Sequence, residues 1–408
     1  MLTLDLVHTL AFGGVVLFLG YAIRRGVPIL ARYNLPAPVI GGMVISLLML
    51  TARQWDYTPF RFDTTLRTPL MIAFFTTIGF GASLSLLKKG GPQVLLFFLL
   101  SSVAAILQNV VGAGTALLMG QSALFGVLCG SVTLTGGPAT GLAFAAQFEA
   151  AGVTGAEAVA VAAAMLGIVA GGLMGAPLGT LLIERLRRKQ AANPSHATST
   201  AAQIVEDLLP DLPAATPSGE DAESYVLLKS VSVILVAMWA GSWVGAGITA
   251  LGVTLPAYIG AMLVAAVIRN FDDATGWLGL SQRVIDDVGN VALSFFLVMA
   301  MMTLELWLLA AVAVPLVVVL LVQTALVAAY CLWPIFPRMG GDYDAAVTAS
   351  GFCGFMLGTT ANAMANMDAL TRRYGPAPRA FLIVPMVGAF FIDFANAVFI
   401  QICLNLFS

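Results

Sequence analysis

Two stretches of this 408-residue sequence combine residue types suited to holding a small charged solute. The first, Gly130-Ser131-Val132-Thr133-Leu134-Thr135-Gly136-Gly137-Pro138-Ala139-Thr140-Gly141, sets hydroxyls among glycines; the second, with Ser350-Gly351, Gly354, Gly358-Thr359-Thr360-Ala361-Asn362 and Asn366, does the same. Both lie in apolar surroundings, where a Gly/Pro break between two half-helices leaves backbone groups unpaired. Free N–H groups at a half-helix N-terminus suit a carboxylate, and freed carbonyls suit Na+. Thr135, Gly136, Gly137, Thr140, Gly358, Thr359, Thr360 and Asn362 are therefore candidate substrate-binding residues. Asp393 sits near the middle of the last apolar run, where an ionised group is costly without a partner, and is the leading candidate cation ligand, with Asn396 one turn on. Gln108-Asn109 and Gln323-Thr324 are uncharged polar pairs inside apolar runs; ion ligation and hydrogen bonding between helices account for them equally well. No Lys or Arg falls at mid-run, so an anionic substrate would rely on helix N-termini, hydroxyls, amides and bound cations. The sequence offers no Ser/His/Asp set, no transition-metal cluster and no basic patch interleaved with aromatics, which argues against an enzyme and against a nucleic-acid partner. The four cysteines lack CxxC spacing, and the two histidines, His8 and His196, lie outside the apolar interior.

The elements that must position these residues follow from composition. With 59% hydrophobic and 10% charged residues and a mean hydropathy of +0.94, the chain has well under half the charge of a soluble protein, about 25%. It reads as an all-α polytopic protein embedded in a lipid bilayer. Ten apolar helices are expected, at about 6–23, 38–52, 69–87, 93–119, 157–184, 226–250, 255–268, 286–310, 311–333 and 379–404. The broken stretches at about 123–148 and 345–370 read as re-entrant hairpins. Residues 185–225, rich in Pro and acids, read as a cytoplasmic linker between two repeats, 1–184 and 226–408. Matching features keep a nearly constant offset: Pro38 to Met43 with Ala257 to Met262, Phe74-Phe75 with Phe295-Phe296, Gln108-Asn109 with Gln323-Thr324, and Gly137 to Thr140 with Gly358 to Ala361. Placing the 19 basic residues on five spans plus one hairpin per repeat leaves only Arg53, Arg61 and Arg67 outside. By the positive-inside rule both termini are then outside. An odd number of spans per repeat inverts the second copy, the plan of secondary transporters.

Thr68 to Gly79, Gln108-Asn109, the Ser131 to Thr140 hairpin, Asp342-Tyr343-Asp344-Ala345-Ala346, Ala363 to Met367 and Val384 to Asp393 closely resemble the bacterial sodium/glutamate symporter family. The resemblance covers nearly the whole chain and is weakest in the linker. It implies Na+-coupled uptake of L-glutamate across the bacterial inner membrane by a homodimer working through an elevator movement. The first loop of the family reads Ser-Gly-Gly-His-Gly-Thr, where this chain has Thr135-Gly136-Gly137-Pro138-Ala139-Thr140. The second reads Gly-Ala-Thr-Pro-Thr, against Gly358-Thr359-Thr360-Ala361-Asn362. A Na+- or H+-coupled carrier for another amino acid or a dicarboxylate is the alternative; a channel fits two opposed hairpins less well.

Overall fold

At membrane depth a backbone without water must close its hydrogen bonds within a helix, so long apolar runs have little choice of structure. A computed structural model describes residues 2–57, 59–192, 220–250 and 256–407, and helices occupy each of the ten apolar runs. In chain order these are α1 (Leu6–Gly26), α2 (Ala37–Arg53), α3 (Arg67–Phe80) and α4 (Leu84–Leu118, interrupted at Gly91 ahead of Pro92). Next come two short helices, α5 (Ala123–Val132) and α6 (Gly137–Ala150), and the long α7 (Ala156–Ala192). The second half has α8 (Glu220–Ala250), α9 (Ala257–Thr275), α10 (Gln282–Met302) and α11 (Ala313–Tyr330), followed by α12 (Tyr343–Met356), α13 (Thr360–Tyr374), α14 (Pro378–Met386) and α15 (Ile392–Phe407). Among the described residues six helices are long and apolar enough to cross a membrane: Leu6–Gly26, Gly91–Leu118, Ala156–Arg188, Ser224–Ala250, Gln282–Met302 and Leu306–Arg338.

Boundaries differ from the sequence expectation where polar side chains intervene. The run at 69–87 breaks after Phe80, because Ser83 Oγ bonds Asp273 at 2.5 Å and the Leu84 N–H donates to Asn270 Oδ1 at 2.9 Å. The run at 286–310 ends its α-helix at Met302 and resumes past Glu305 as a 3-10 turn, Leu306–Val312. Both edges of the expected linker are helical, since α7 continues to Ala192 and α8 starts at Glu220; residues 193–219, with His196, lie outside the described residues. A short parallel pair, Leu2–Leu4 with Phe60–Phe62, was not anticipated.

The helices sort into two bundles, each drawing on both halves of the chain. α1 to α3 pack with α8 to α10; we call this the scaffold. α4 to α7 pack with α11 to α15 as the core, and contacts between the bundles are sparse. Small residues bring scaffold helices together. A Cβ on Gly20 or Gly41 would collide with backbone of the facing helix, and the same holds where α8 crosses α9 at Gly241 and Gly260. In the core, Gly175 and Gly179 of α7 receive Asn366 and Ser350 of the second helix pair, so this i, i+4 glycine spacing serves packing.

Candidate substrate and ion site

The first break falls between α5 and α6. α5 ends in a π-turn, Leu128–Val132, with Gly130 at φ −98° and ψ −129°, and α6 begins at Gly137 with φ +68°, a conformation that glycine adopts without strain. Pro138 occupies the first turn of α6, where no N–H is needed, so this departure from the family loop keeps the helix start intact. The second break falls between α12 and α13, where Thr359 caps α13 by accepting from the Asn362 N–H at 3.4 Å. The two breaks meet: a Cβ on Gly137 would lie 3.5 Å from the Gly358 carbonyl oxygen and 3.8 Å from Thr359 Cγ2. Two helix N-termini, of α6 and α13, therefore open onto one region.

Gln108 of α4 ties the region together. Its Nε2 donates to the Met356 carbonyl at 2.8 Å, its Oε1 accepts from Thr135 Oγ1 at 2.6 Å, and its backbone carbonyl accepts from Gln323 Nε2 at 2.6 Å. Asn109 Oδ1 accepts from the Ser131 N–H at 3.1 Å, and Asn396 Nδ2 donates to the Ser131 carbonyl at 2.9 Å. Asn362 and Asn366 reach α7, donating to the carbonyls of Ile168 at 2.8 Å and Gly171 at 3.0 Å. Gln108, Gln323, Asn362, Asn366 and Asn396 use their N–H side for the fold, whereas Asn109 uses its oxygen and keeps a buried, unpartnered Nδ2. The oxygens of Ser131 (Oγ), Gln323 (Oε1), Asn362 (Oδ1) and Asn396 (Oδ1) are buried and receive no hydrogen bond. Buried oxygens without donors are the groups a dehydrated Na+ requires.

The expected site residues divide accordingly. Thr135, Gly136, Gly137, Gly358, Thr359, Asn362, Gln108, Asn109, Gln323 and Asn396 gather around the two breaks. Thr140 is buried against Gly136, where a Cβ would come within 2.6 Å of its own Cβ. Thr360 Oγ1 turns to the Gly388 carbonyl at 3.4 Å, joining α13 to the π-turn Val387–Phe391 between α14 and α15. Thr324 does not join: its hydroxyl returns to the Leu320 carbonyl of its own helix at 2.6 Å. Asp393 is half-buried one turn before Asn396, makes no hydrogen bond with described residues, and lies within electrostatic reach of the Tyr258 hydroxyl. Tyr258 is a scaffold residue whose ring stacks on Phe75 at 3.9 Å and meets Phe144 of the core edge-on at 6.0 Å. Sequence reasoning passed over Tyr258 because an aromatic residue in an apolar run carries no signal. Ser131 stood in the Gly/Thr pattern without being singled out.

A polytopic helical membrane protein with two broken helix pairs converging on buried, donor-free oxygens is built to receive a small solute rather than to do covalent chemistry. The family model described as sodium/glutamate symporter matches residues 2–376. The chain is similar along its length to curated sodium/glutamate symporters. It is 38% identical over 407 residues to that of Escherichia coli (strain K12), covering 100% of this chain and 99% of the relative. It is 37% identical over 404 residues to that of Haemophilus influenzae (strain ATCC 51907 / DSM 11121 / KW20 / Rd), covering 98% and 97%. The chain belongs to the sodium/glutamate symporter family, whose named members are transporters and not enzymes.

Proposed function

We propose that this protein carries L-glutamate into the cell together with Na+ by alternating access. The core bundle travels against the scaffold and takes the site around the two breaks with it, as in an elevator. The observation that carries this reading is the coincidence of two features in one region: two helix N-termini facing each other, and buried oxygens that no donor satisfies. The N-termini of α6 and α13 take the carboxylates of the substrate, helped by hydroxyls of Thr135 and Thr359. Oxygens of Ser131, Asn396, Gln323 and Asn362 take Na+, and Asp393 supplies negative charge near the boundary of the bundles.

The reading includes an inner-membrane protein with both termini outside and two inverted repeats, each with a re-entrant hairpin. The repeated Gly–Gly crossings, Gly20/Gly41 and Gly241/Gly260, support the repeat. A homodimer belongs to the same proposal; Ser224–Ala250, 17% buried, offers the surface for a second copy.

Uptake into proteoliposomes tests the reading. Glutamate should accumulate with an imposed Na+ gradient, and faster with an inside-negative potential, since each net charge moved gains about 2.3 kcal/mol per 100 mV. Equal uptake from a proton gradient without Na+ would overturn Na+ coupling. Preference for another amino acid or a dicarboxylate in a competition panel would overturn the substrate.

A further inference from the structure

Among the described residues the guanidinium groups of Arg67, Arg269, Arg372 and Arg379 form ion pairs, with Glu157, Asp273, Asp368 and Asp342, and the other arginines do not. Four of the unpaired ones share one cavity. Arg32, Arg185, Arg188 and Arg373 line one open cavity of about 830 Å³ between α7, α13 and the turn after α1, and no ion pair or hydrogen bond joins any of them to a described residue. Among the described lining residues Glu184 is the only carboxylate, set against four arginines. The Arg373 guanidinium lies over the Tyr374 ring at 5.0 Å, as does that of Arg187 at 4.9 Å, a stacking that leaves guanidinium N–H groups available to an oxyanion.

Arg185 and Arg188, one turn apart on α7, also border a second cavity of about 410 Å³. The rest of its wall is apolar: Leu182, Leu186, Leu332 and Phe336. A free phosphate or the carried substrate would use only the basic cavity. A molecule with a phosphate at one end and a hydrocarbon chain at the other uses both. The height agrees, because α7 rises about 42 Å from Glu157 to Arg185 at 1.5 Å per residue. That is the thickness of a bilayer with its headgroups, about 40–45 Å.

We propose that these adjoining cavities bind one anionic phospholipid from the leaflet at the basic end of the protein. Its phosphate rests on Arg185 and Arg188, Arg32 and Arg373 close the other side, and an acyl chain lies along Leu182, Leu186, Leu332 and Phe336. Arg32 belongs to the scaffold side and the other three arginines to the core, so the headgroup touches both bundles. The site rests on the proposed transporter reading only for which leaflet supplies the lipid.

The test is native mass spectrometry of the full chain in detergent with equal phosphatidylglycerol and phosphatidylcholine of identical acyl chains. One phosphatidylglycerol should be retained per chain, with about tenfold preference over phosphatidylcholine. The double variant Arg185→Gln/Arg188→Gln should reduce this to parity. Should that variant fold poorly by its unfolding midpoint, Arg32→Gln alone should cut the preference about threefold. Leu332→Trp, which fills the apolar cavity and keeps every arginine, should also release the lipid, and millimolar inorganic phosphate should not displace it. Parity in the unmodified protein, or retention unchanged in the arginine variants, would overturn the proposal. So would displacement by inorganic phosphate with no effect of Leu332→Trp, since that pattern describes a simple anion site. Na+-driven uptake is scored separately in proteoliposomes: its absence would count against the transporter reading and not against this site.

Discussion

Scaffold and core meet the same difficulty, polar groups at membrane depth, in opposite ways. In the scaffold, buried hydroxyls return to nearby carbonyls: Thr76 to Ile72 at 2.7 Å, Thr77 to Phe74 at 2.7 Å, and Ser230 to Val226 at 2.8 Å. Its helices approach one another through glycine and run without interruption. In the core, amides of Gln108, Gln323, Asn362 and Asn396 span between elements, and oxygens of the last three are left without a donor. All three π-turns among the described residues, Leu128–Val132, Cys331–Ile335 and Val387–Phe391, also lie in the core. Interrupted helices expose backbone groups and often mark sites of function. The difference separates a frame in which most buried hydroxyls, Tyr258 excepted, bond helix carbonyls from a body in which several buried amide oxygens have no donor.

The largest expected effect lies at the hub. Gln108→Leu removes the two side-chain hydrogen bonds, to Met356 and from Thr135, and should lower Na+-driven uptake by about 100-fold, on the basis of a few kcal/mol of buried hydrogen bonding. Thr76→Val in the scaffold, which removes a bond to its own helix, should stay within about twofold. Comparable losses in the two variants would erase the contrast between bundles.

Na+ dependence sharpens it further. Asn396→Leu should raise the Na+ concentration for half-maximal uptake by about tenfold, as loss of one ligand oxygen implies. Thr324→Val, whose hydroxyl is occupied within its own helix, should leave that value within about twofold. Stability separates the bundles next. Gly41→Val drives a side chain into the Val16 carbonyl and should lower the unfolding midpoint by several degrees, about 1–3 kcal/mol of overpacking. Gly114→Ala, on α4 with nothing within 4 Å of the added Cβ, should be neutral or slightly stabilising.

The smallest effect is a titration outside the spans. Burial pushes the Asp272 carboxyl up, but N–H donors from Leu280, Gly279 and Leu278, at 2.9, 2.9 and 2.8 Å, outweigh it and hold the group below the ordinary 3.8. A depressed native value means stability that is present above pH 3.8 and lost as pH falls through the native value. Asp272→Asn should therefore lower stability by about 1–3 kcal/mol at neutral pH. In thermal unfolding scans the gap to the unmodified protein should close in acid, while Na+ affinity stays unchanged.

Much of this was legible in the sequence for a physical reason. Runs of apolar residues at membrane depth can only be helices, and Gly/Pro breaks within them can only be exceptions, so the ten helices and the Gly137 and Gly358 breaks could be located. The bundles could not, because hydropathy reports that a face is apolar but not which other face covers it. Gln108 and Gln323 were visible as an equivalent pair; that one donates to the backbone of the other was not. Thr324 looked equivalent to Gln323, yet one residue turns a helical side chain by about 100°, which sends its hydroxyl to Leu320 instead of the site.

The central claim is that the core moves as a body against the scaffold. Arg67 on α3 and Glu157 on α7 pair across the boundary at 2.6 Å, whereas Arg379 and Asp342 pair within the core. With Cys129, Cys331, Cys353 and Cys403 replaced, Arg67→Cys/Glu157→Cys can be joined by a short cleavable thiol linker in proteoliposomes. Linking should abolish Na+-driven glutamate uptake and cleavage should restore it. The same linker at Arg379→Cys/Asp342→Cys should leave uptake within about twofold, since no relative motion separates elements of one body. Full-rate uptake by protein linked between Arg67→Cys and Glu157→Cys would contradict the account.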